Sequence, residues 1–148
     1  MAKRMRLTFM EEGVSVEAEL LENEAPRTCQ AIWDRLPFEG DAVHAIYSGS
    51  EIAFFIPDDL IVEAENQTSR VIPGDVGYYH LPPGLMYGWL KGFSEICWFY
   101  DRDGRPNMPD GPVLINVFTR LVGDPAAFYA VCRRMRREGT KRLRVERV

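Results

Sequence analysis

The chain has 148 residues and a mass of 17.0 kDa, with 46% hydrophobic residues, 27% charged residues and a formal net charge of -4. A domain of this length buries about 68–70% of its unfolded surface, so it forms a core without disulfide or metal staples, and so average a composition argues against a disordered tail, a collagen-like fibre or a membrane protein. No apolar run approaches the ~20 residues of a membrane helix, and Glu11 and Glu12 interrupt where the apolar part of a signal peptide would follow Lys3, Arg4 and Arg6, so the expectation is one cytoplasmic domain over residues 1–148.

Leu7 and Phe9, then Val14, Val16, Ala18 and Leu20, recur every second residue around a Glu12-Gly13 turn. This spacing predicts a β-hairpin with one buried face. Cys29, Ile32, Trp33 and Leu36 then fall at i, i+3, i+4 and i+7, the stripe of an amphipathic helix, with Pro26 in its first turn and Pro37 as its stop. Strands are expected at Asp41 to Tyr47 and Glu51 to Ile56, joined by Ser48-Gly49-Ser50. A polar excursion follows to Arg70, with a short strand at Ile61 and Val62. Pro73-Gly74-Asp75 leads into a strand over Val76 to Leu81, which Pro82-Pro83-Gly84 ends. Glu95 to Tyr100 is an aromatic strand, Asp101 to Pro112 an exposed loop, and Val113 to Val122 a further strand.

Gly123-Asp124-Pro125 is the clearest helix start: Asp124 can accept from the free N–H groups of the first turn, and Pro125 at the first position has none. Phe128, Val131, Cys132 and Met135 repeat the helical stripe, Gly139 ends it, and Leu143 and Val145 belong to a last strand. About eight short strands with two helices predict a mostly β fold, a closed or nearly closed eight-stranded barrel capped by two helices.

Three widely separated cysteines, Cys29, Cys97 and Cys132, make no CxxC pair and read as buried free thiols. Charge is uneven: residues 1–132 carry 10 Lys/Arg against 20 Asp/Glu, and residues 133–148 carry 8 against 2. Arg133, Arg134, Arg136 and Arg137 sit in the last turns of the second helix, where cations complement its dipole, and the acidic body would repel a phosphate backbone. No nucleic-acid or membrane partner is expected. With His44 and His80 as the only histidines, no ligand pair has metal-binding spacing, and no glycine-rich phosphate loop is present. Neither a metal nor a cofactor is expected.

The order of hairpin, Ala25-Pro26-Arg27-Thr28 helix start and a strand carrying Val43-His44-Ala45-Ile46 resembles the cyclophilins, whose eight-stranded barrel has the same sequence of parts. The chain is more similar still to a bacterial branch of cyclophilin-like proteins of unknown function. His44-Ala45-Ile46-Tyr47-Ser48-Gly49-Ser50-Glu51, Pro73-Gly74-Asp75, Pro82-Pro83-Gly84, Asn116-Val117-Phe118 and Gly123-Asp124-Pro125 match that branch in order. The resemblance implies a groove on the outer face of the barrel. In prolyl isomerases an arginine follows the strand histidine and holds the prolyl carbonyl; here that position is Ala45, and the Phe, Met and Gln of the pocket fall near Ser50, Glu51 and Ala53. An alanine donates no charge-assisted hydrogen bond, so efficient isomerase activity is not expected.

With those replacements the implied groove is polar and aromatic, with His44, Tyr47, Ser48, Glu51, Tyr79 and Tyr100 as candidate ligand contacts and His80 and Asp101 beside them. Rings with a hydroxyl handle suit a small molecule or a short peptide. The resemblance also implies a compact amide-containing metabolite as substrate, because barrels of this kind occur in bacterial amide-hydrolysing systems. The alternatives are an interaction subunit using the aromatic strand Cys97 to Tyr100, self-association, and residual prolyl isomerisation. Ser48 and His44 lie about 13 Å apart on an extended strand, too far to act as nucleophile and base.

Overall fold

A computed structural model describes residues 2–148. The chain runs β1 (Arg4–Phe9), β2 (Val14–Leu20), α1 (Pro26–Arg35), β3 (Phe38–His44), β4 (Glu51–Ile56), β5 (Gln67–Thr68), β6 (Asp75–Leu81), β7 (Phe93–Phe99), β8 (Asn107–Met108), β9 (Gly111–Pro112), β10 (Ile115–Val122), α2 (Ala126–Glu138) and β11 (Lys141–Arg147). Eight strands pair in the order β2-β1-β11-β3-β4-β7-β6-β10, and β10 returns to β2 with Thr119 opposite Leu20. Every pairing is antiparallel, and the closed mostly β barrel leaves no long edge unpaired. The short β5 adds to β10, and β8 and β9 form a separate ribbon.

Strand alternation fills the interior. Met5, Leu7, Phe9, Ile52, Phe54, Ile96, Trp98 and Phe118 are buried in one cluster with Phe128, Val131, Cys132 and Met135 of α2. Phe128 stacks 4.8 Å from Phe9 and 5.7 Å from Trp98, and the Trp98 indole N–H donates to Cys132 Sγ at 3.3 Å, so α2 closes the end of the barrel where these residues meet. The start of α1 is capped by a distant side chain. Pro26 lacks an N–H, and the N–H groups of Arg27 and Thr28 both donate to the Glu65 carboxylate, at 3.2 and 2.8 Å. All three cysteines are buried and free.

Several boundaries differ from the expected ones. β3 begins at Phe38 and ends at His44, so Ala45, Ile46 and Tyr47 lie in the turn. The first helix stops at Arg35, because Leu36 is extended ahead of Pro37. Trp33 is only half-buried, between Lys3 and Arg147 at 5.2 and 5.0 Å. Ile61 and Val62 form no strand, and the strand of that segment is Gln67–Thr68. Pro125 stands just before α2 rather than in its first turn, and Asp124 accepts from the Ala126 N–H at 3.0 Å.

Asp101 to Pro112 is not a free loop. Gly104 and Pro106 are buried, and the segment folds back against the turn after β3. The Arg105 N–H donates to the Ser48 carbonyl, and the Asn107 N–H to Ser48 Oγ, each at 3.0 Å.

The basic C-terminal strand faces acids on its neighbour. Arg144 pairs with Glu39 at 3.0 Å and Arg142 with Asp41 at 3.4 Å across the β3–β11 register, while Lys141 binds Glu12 at 2.7 Å. Among the described residues, no helix is long and apolar enough to cross a membrane.

Candidate functional site

The alternation that fills the barrel also divides the candidate residues. On β7, Ile96 and Trp98 point inward, followed by Tyr100, while Glu95, Cys97 and Phe99 point outward; on β4, Ile52, Phe54 and Ile56 point inward and Glu51, Ala53 and Phe55 outward. His44 lies opposite Ile52 and shares its inward face. The six residues therefore do not form one cleft. His44 and Tyr100 meet at the α2 end of the interior, Glu51 and Tyr79 lie on the outer face, and Tyr47 and Ser48 occupy the turn between.

At the inner rim, His44 Nδ1 lies 2.7 Å from the Ala45 carbonyl and Nε2 lies 2.7 Å from the Tyr100 hydroxyl. A carbonyl only accepts, which puts the proton on Nδ1 and makes Nε2 the acceptor of the Tyr100 O–H. Burial lowers the His44 pKa, with nearby Arg136 adding to the effect against the bond to Ala45, and a neutral ring fits this arrangement. Arg136 Nε donates to the Tyr100 oxygen at 3.2 Å and its Nη2 to Ser50 Oγ at 3.4 Å. An open groove of about 560 Å³ lies here, lined by His44, Ala45, Ile46, Met135, Arg136 and Thr140 among others. It is the roomier of the two locations, yet both ring nitrogens of its histidine are already engaged.

Ser48 serves the fold. Its hydroxyl donates to the Asn107 carbonyl at 3.1 Å and accepts the Asn107 N–H, stapling the turn to the 101–107 segment. Tyr47 is 46% exposed. His80 bonds Ser94 Oγ at 2.8 Å at the opposite end of the barrel, and Asp101 accepts the Arg102 N–H at the surface.

The outer face holds a cluster that the sequence reading grasped only in part. Glu51, Glu95 and Cys97 bring one oxygen or sulfur atom each to within 4.8 Å of one another. Glu51 is only 5% exposed, Cys97 is fully buried and Glu95 is half-buried. Burial pushes the Glu51 carboxyl up to about 7. Burial, and then the charge of Glu51, push Glu95 well above the usual carboxylate range. Burial and the two carboxylates likewise push the Cys97 thiol well up, so it is a neutral S–H.

Neither carboxylate owes any part of its shift to a nearby cation. The other buried acid, Asp75, has one, with Arg120 at 3.5 Å. Buried Glu51 and half-buried Glu95, within 4.8 Å of each other and with no base beside them, are candidate binding groups.

Aromatic rings surround the open side of this pair. Glu95 lies between Phe55 on β4 and Tyr79 on β6 in the sheet register. Phe93, two residues along, packs edge-on against Phe55 at 5.3 Å and tilted against Tyr79 at 5.9 Å, and Trp89 from the loop after β6 lies 5.2 Å from Phe93. Phe55 is 44% exposed, so the ring cluster opens to solvent. Glu95 and Cys97 were missed because they read as part of an apolar strand. The signal was their alternation with Ile96 and Trp98, which gives that strand a second face. Three atoms at this spacing could share a cation, and no other group of three His, Cys, Asp or Glu side chains among the described residues is so placed.

Residues 7–146 match the family described as "Protein of unknown function (DUF3830)", and the chain belongs to that family. Among solved structures, it is similar to the hypothetical protein AF2241 from Archaeoglobus fulgidus, with a TM-score of 0.62 and 27% identity over 99% of this chain and 95% of that one. It is also similar in fold to McbB, whose structure was determined in complex with tryptophan, with a TM-score of 0.68 and 15% identity over 97% of this chain. The chain spans only 44% of McbB. No curated protein matches the sequence.

Proposed function

We propose that this member of a family of unknown function binds a small organic molecule or a short peptide on the outer face of its barrel. The Glu51–Glu95 pair is the polar anchor, and Phe55, Tyr79, Phe93 and Trp89 are the walls. The observation that carries this reading is the pair of buried Glu51 and half-buried Glu95, without a basic partner among the described residues and with a half-open ring of aromatic side chains beside it. The cyclophilin resemblance supports the same face, since Glu51 and Ala53 stand where that family lines its groove. Ala45 lies in the turn after β3 and brings no guanidinium to it, so prolyl isomerisation is not part of the reading. The tryptophan of McbB belongs to McbB, and the reading rests on the residues of this chain.

A metabolite library followed by thermal unfolding tests it. A ligand at a hundred times its Kd stabilises by about 2.7 kcal/mol, on the order of 5–10 °C for a chain of this size. The wild type gains that shift, and Glu95→Gln and Tyr79→Ala lose it. A shift that persists in both variants and disappears in Arg136→Ala would move the site to the inner rim.

A second reading has its own observation. Leu85, Tyr87 and Leu90, in the loop after β6, are among the most exposed apolar side chains of the molecule and border Trp89. Such a patch suits a protein partner. Removing all three side chains leaves small-molecule shifts intact under the first reading and abolishes pull-down of a partner under the second.

A further inference from the structure

We infer that the ligand of the outer face is an organic cation carrying an ammonium group, held by the Glu51–Glu95 carboxylates and faced by the rings of Phe55, Tyr79, Phe93 and Trp89. The inference rests on the outer-face reading above and gives it a ligand class.

Three observations converge. The first is charge. Among the described residues, Glu51 is the one buried acid without a basic partner, since Asp75 has Arg120, and a carboxylate oxygen of Glu95 lies within 4.8 Å of it. Desolvated carboxylates are stable when an opposite charge is supplied, and here the chain supplies none from within.

The second is the wall. Three aromatic rings cluster around Phe93, with centroids 5.2–5.9 Å from it, and two of them, Phe55 and Tyr79, flank Glu95 directly in the sheet. Ring faces carry negative quadrupole density, so they attract a cation and disfavour a second carboxylate. The third is access: Phe55 is 44% exposed and Glu95 half-buried, so a ligand head group reaches Glu95 from solvent, with Glu51 and Cys97 behind it. A ligand carboxylate would gain no opposite charge from this acid pair, while a neutral ligand would leave its proton in place and its charge unused.

Three probes of matched shape test the charge: 2-phenylethylammonium, 2-phenylethanol and 3-phenylpropionate, titrated by calorimetry into the full chain at pH 8. The ammonium is expected to bind at least tenfold tighter than the alcohol, and the propionate to give no measurable binding. In Glu95→Gln the preference for ammonium over alcohol should shrink to under threefold. Phe55→Leu, at an exposed position that tolerates the change, should weaken the ammonium at least threefold and leave the alcohol unchanged.

Equal affinity for ammonium and alcohol, or tight binding of the propionate, overturns the cation while leaving the outer-face reading in place. An unaltered ammonium preference in both variants overturns it by locating recognition elsewhere. Silence from all three probes overturns it too, and the library screen then decides whether the face binds anything. Zinc ion binding to the cluster, with no ammonium binding, overturns it in favour of a metal.

Discussion

At the scale of single residues, Glu51 shows what alternation can hide. It opens β4 directly after a turn, where an acidic side chain is usually solvated, yet its side chain is buried on the outer face beside Glu95 and Cys97. Folding raises its pKa from 4.5 to about 7, so the folded protein keeps a proton there that the unfolded chain has released. Its contribution is therefore most favourable below about pH 4.5 and is lost as pH climbs through 7. Glu51→Gln keeps the shape and removes the charge. It should be more stable than the wild type by on the order of 2 kcal/mol at pH 8 and nearly equal to it at pH 4.5 in urea denaturation. An identical difference at both pH values would show that Glu51 titrates normally. A variant that gains stability and loses ligand would bear the mark of a functional site. Glu51 and Tyr79 were legible as candidates because a carboxylate and a phenol on strands flag themselves. His44 and Tyr100 were grouped with them because a sequence shows the period of a strand but not which of two strand faces becomes the interior.

At the scale of elements, the Ser48-Gly49-Ser50 turn and the helix start at Pro26 were both readable as punctuation, but their partners were not. Gly49 has φ +64, and a Cβ there would collide with the Asp103 carbonyl oxygen. Gly13 has nearly the same φ, +66, in the β1–β2 turn, with open space around it. Comparing the two isolates the collision from the backbone strain. Gly13→Ala should cost about 1 kcal/mol, the price of a left-handed alanine, and Gly49→Ala on the order of 2 kcal/mol or more, because backbone must also move. Equal costs in denaturant titrations would mean the 101–107 segment is not pinned to the turn. That pinning was invisible in the sequence because three prolines and two glycines make Asp101 to Pro112 look like a free loop. The Glu65 cap of α1 was likewise hidden, since a contact 37 residues distant leaves no local pattern. The expected helices and most expected strands were legible, because each is amphipathic at its own period and bounded by glycine or proline.

At the scale of the molecule, closure of the barrel makes two separate environments from one sheet. The interior, with α2 across the end where Phe9 and Trp98 meet, ends in the His44–Tyr100–Arg136 hydrogen-bond chain; the outside of β4, β7 and β6 carries the carboxylate pair and its rings. Part of the uneven charge read along the chain also resolves at this scale, because Arg142 and Arg144 face Asp41 and Glu39 across one strand pairing. The acids of the outer face have no such basic partner among the described residues, which is why a cation, able to displace their proton, is the natural occupant. The most direct test is to map the site by NMR, following backbone amides as 2-phenylethylammonium is added. The account predicts that signals of residues 53–55, 77–79 and 93–97 shift together while His44, Tyr100 and Arg136 stay in place. Shifts confined to His44, Tyr100 and Arg136, with the outer face silent, would contradict it.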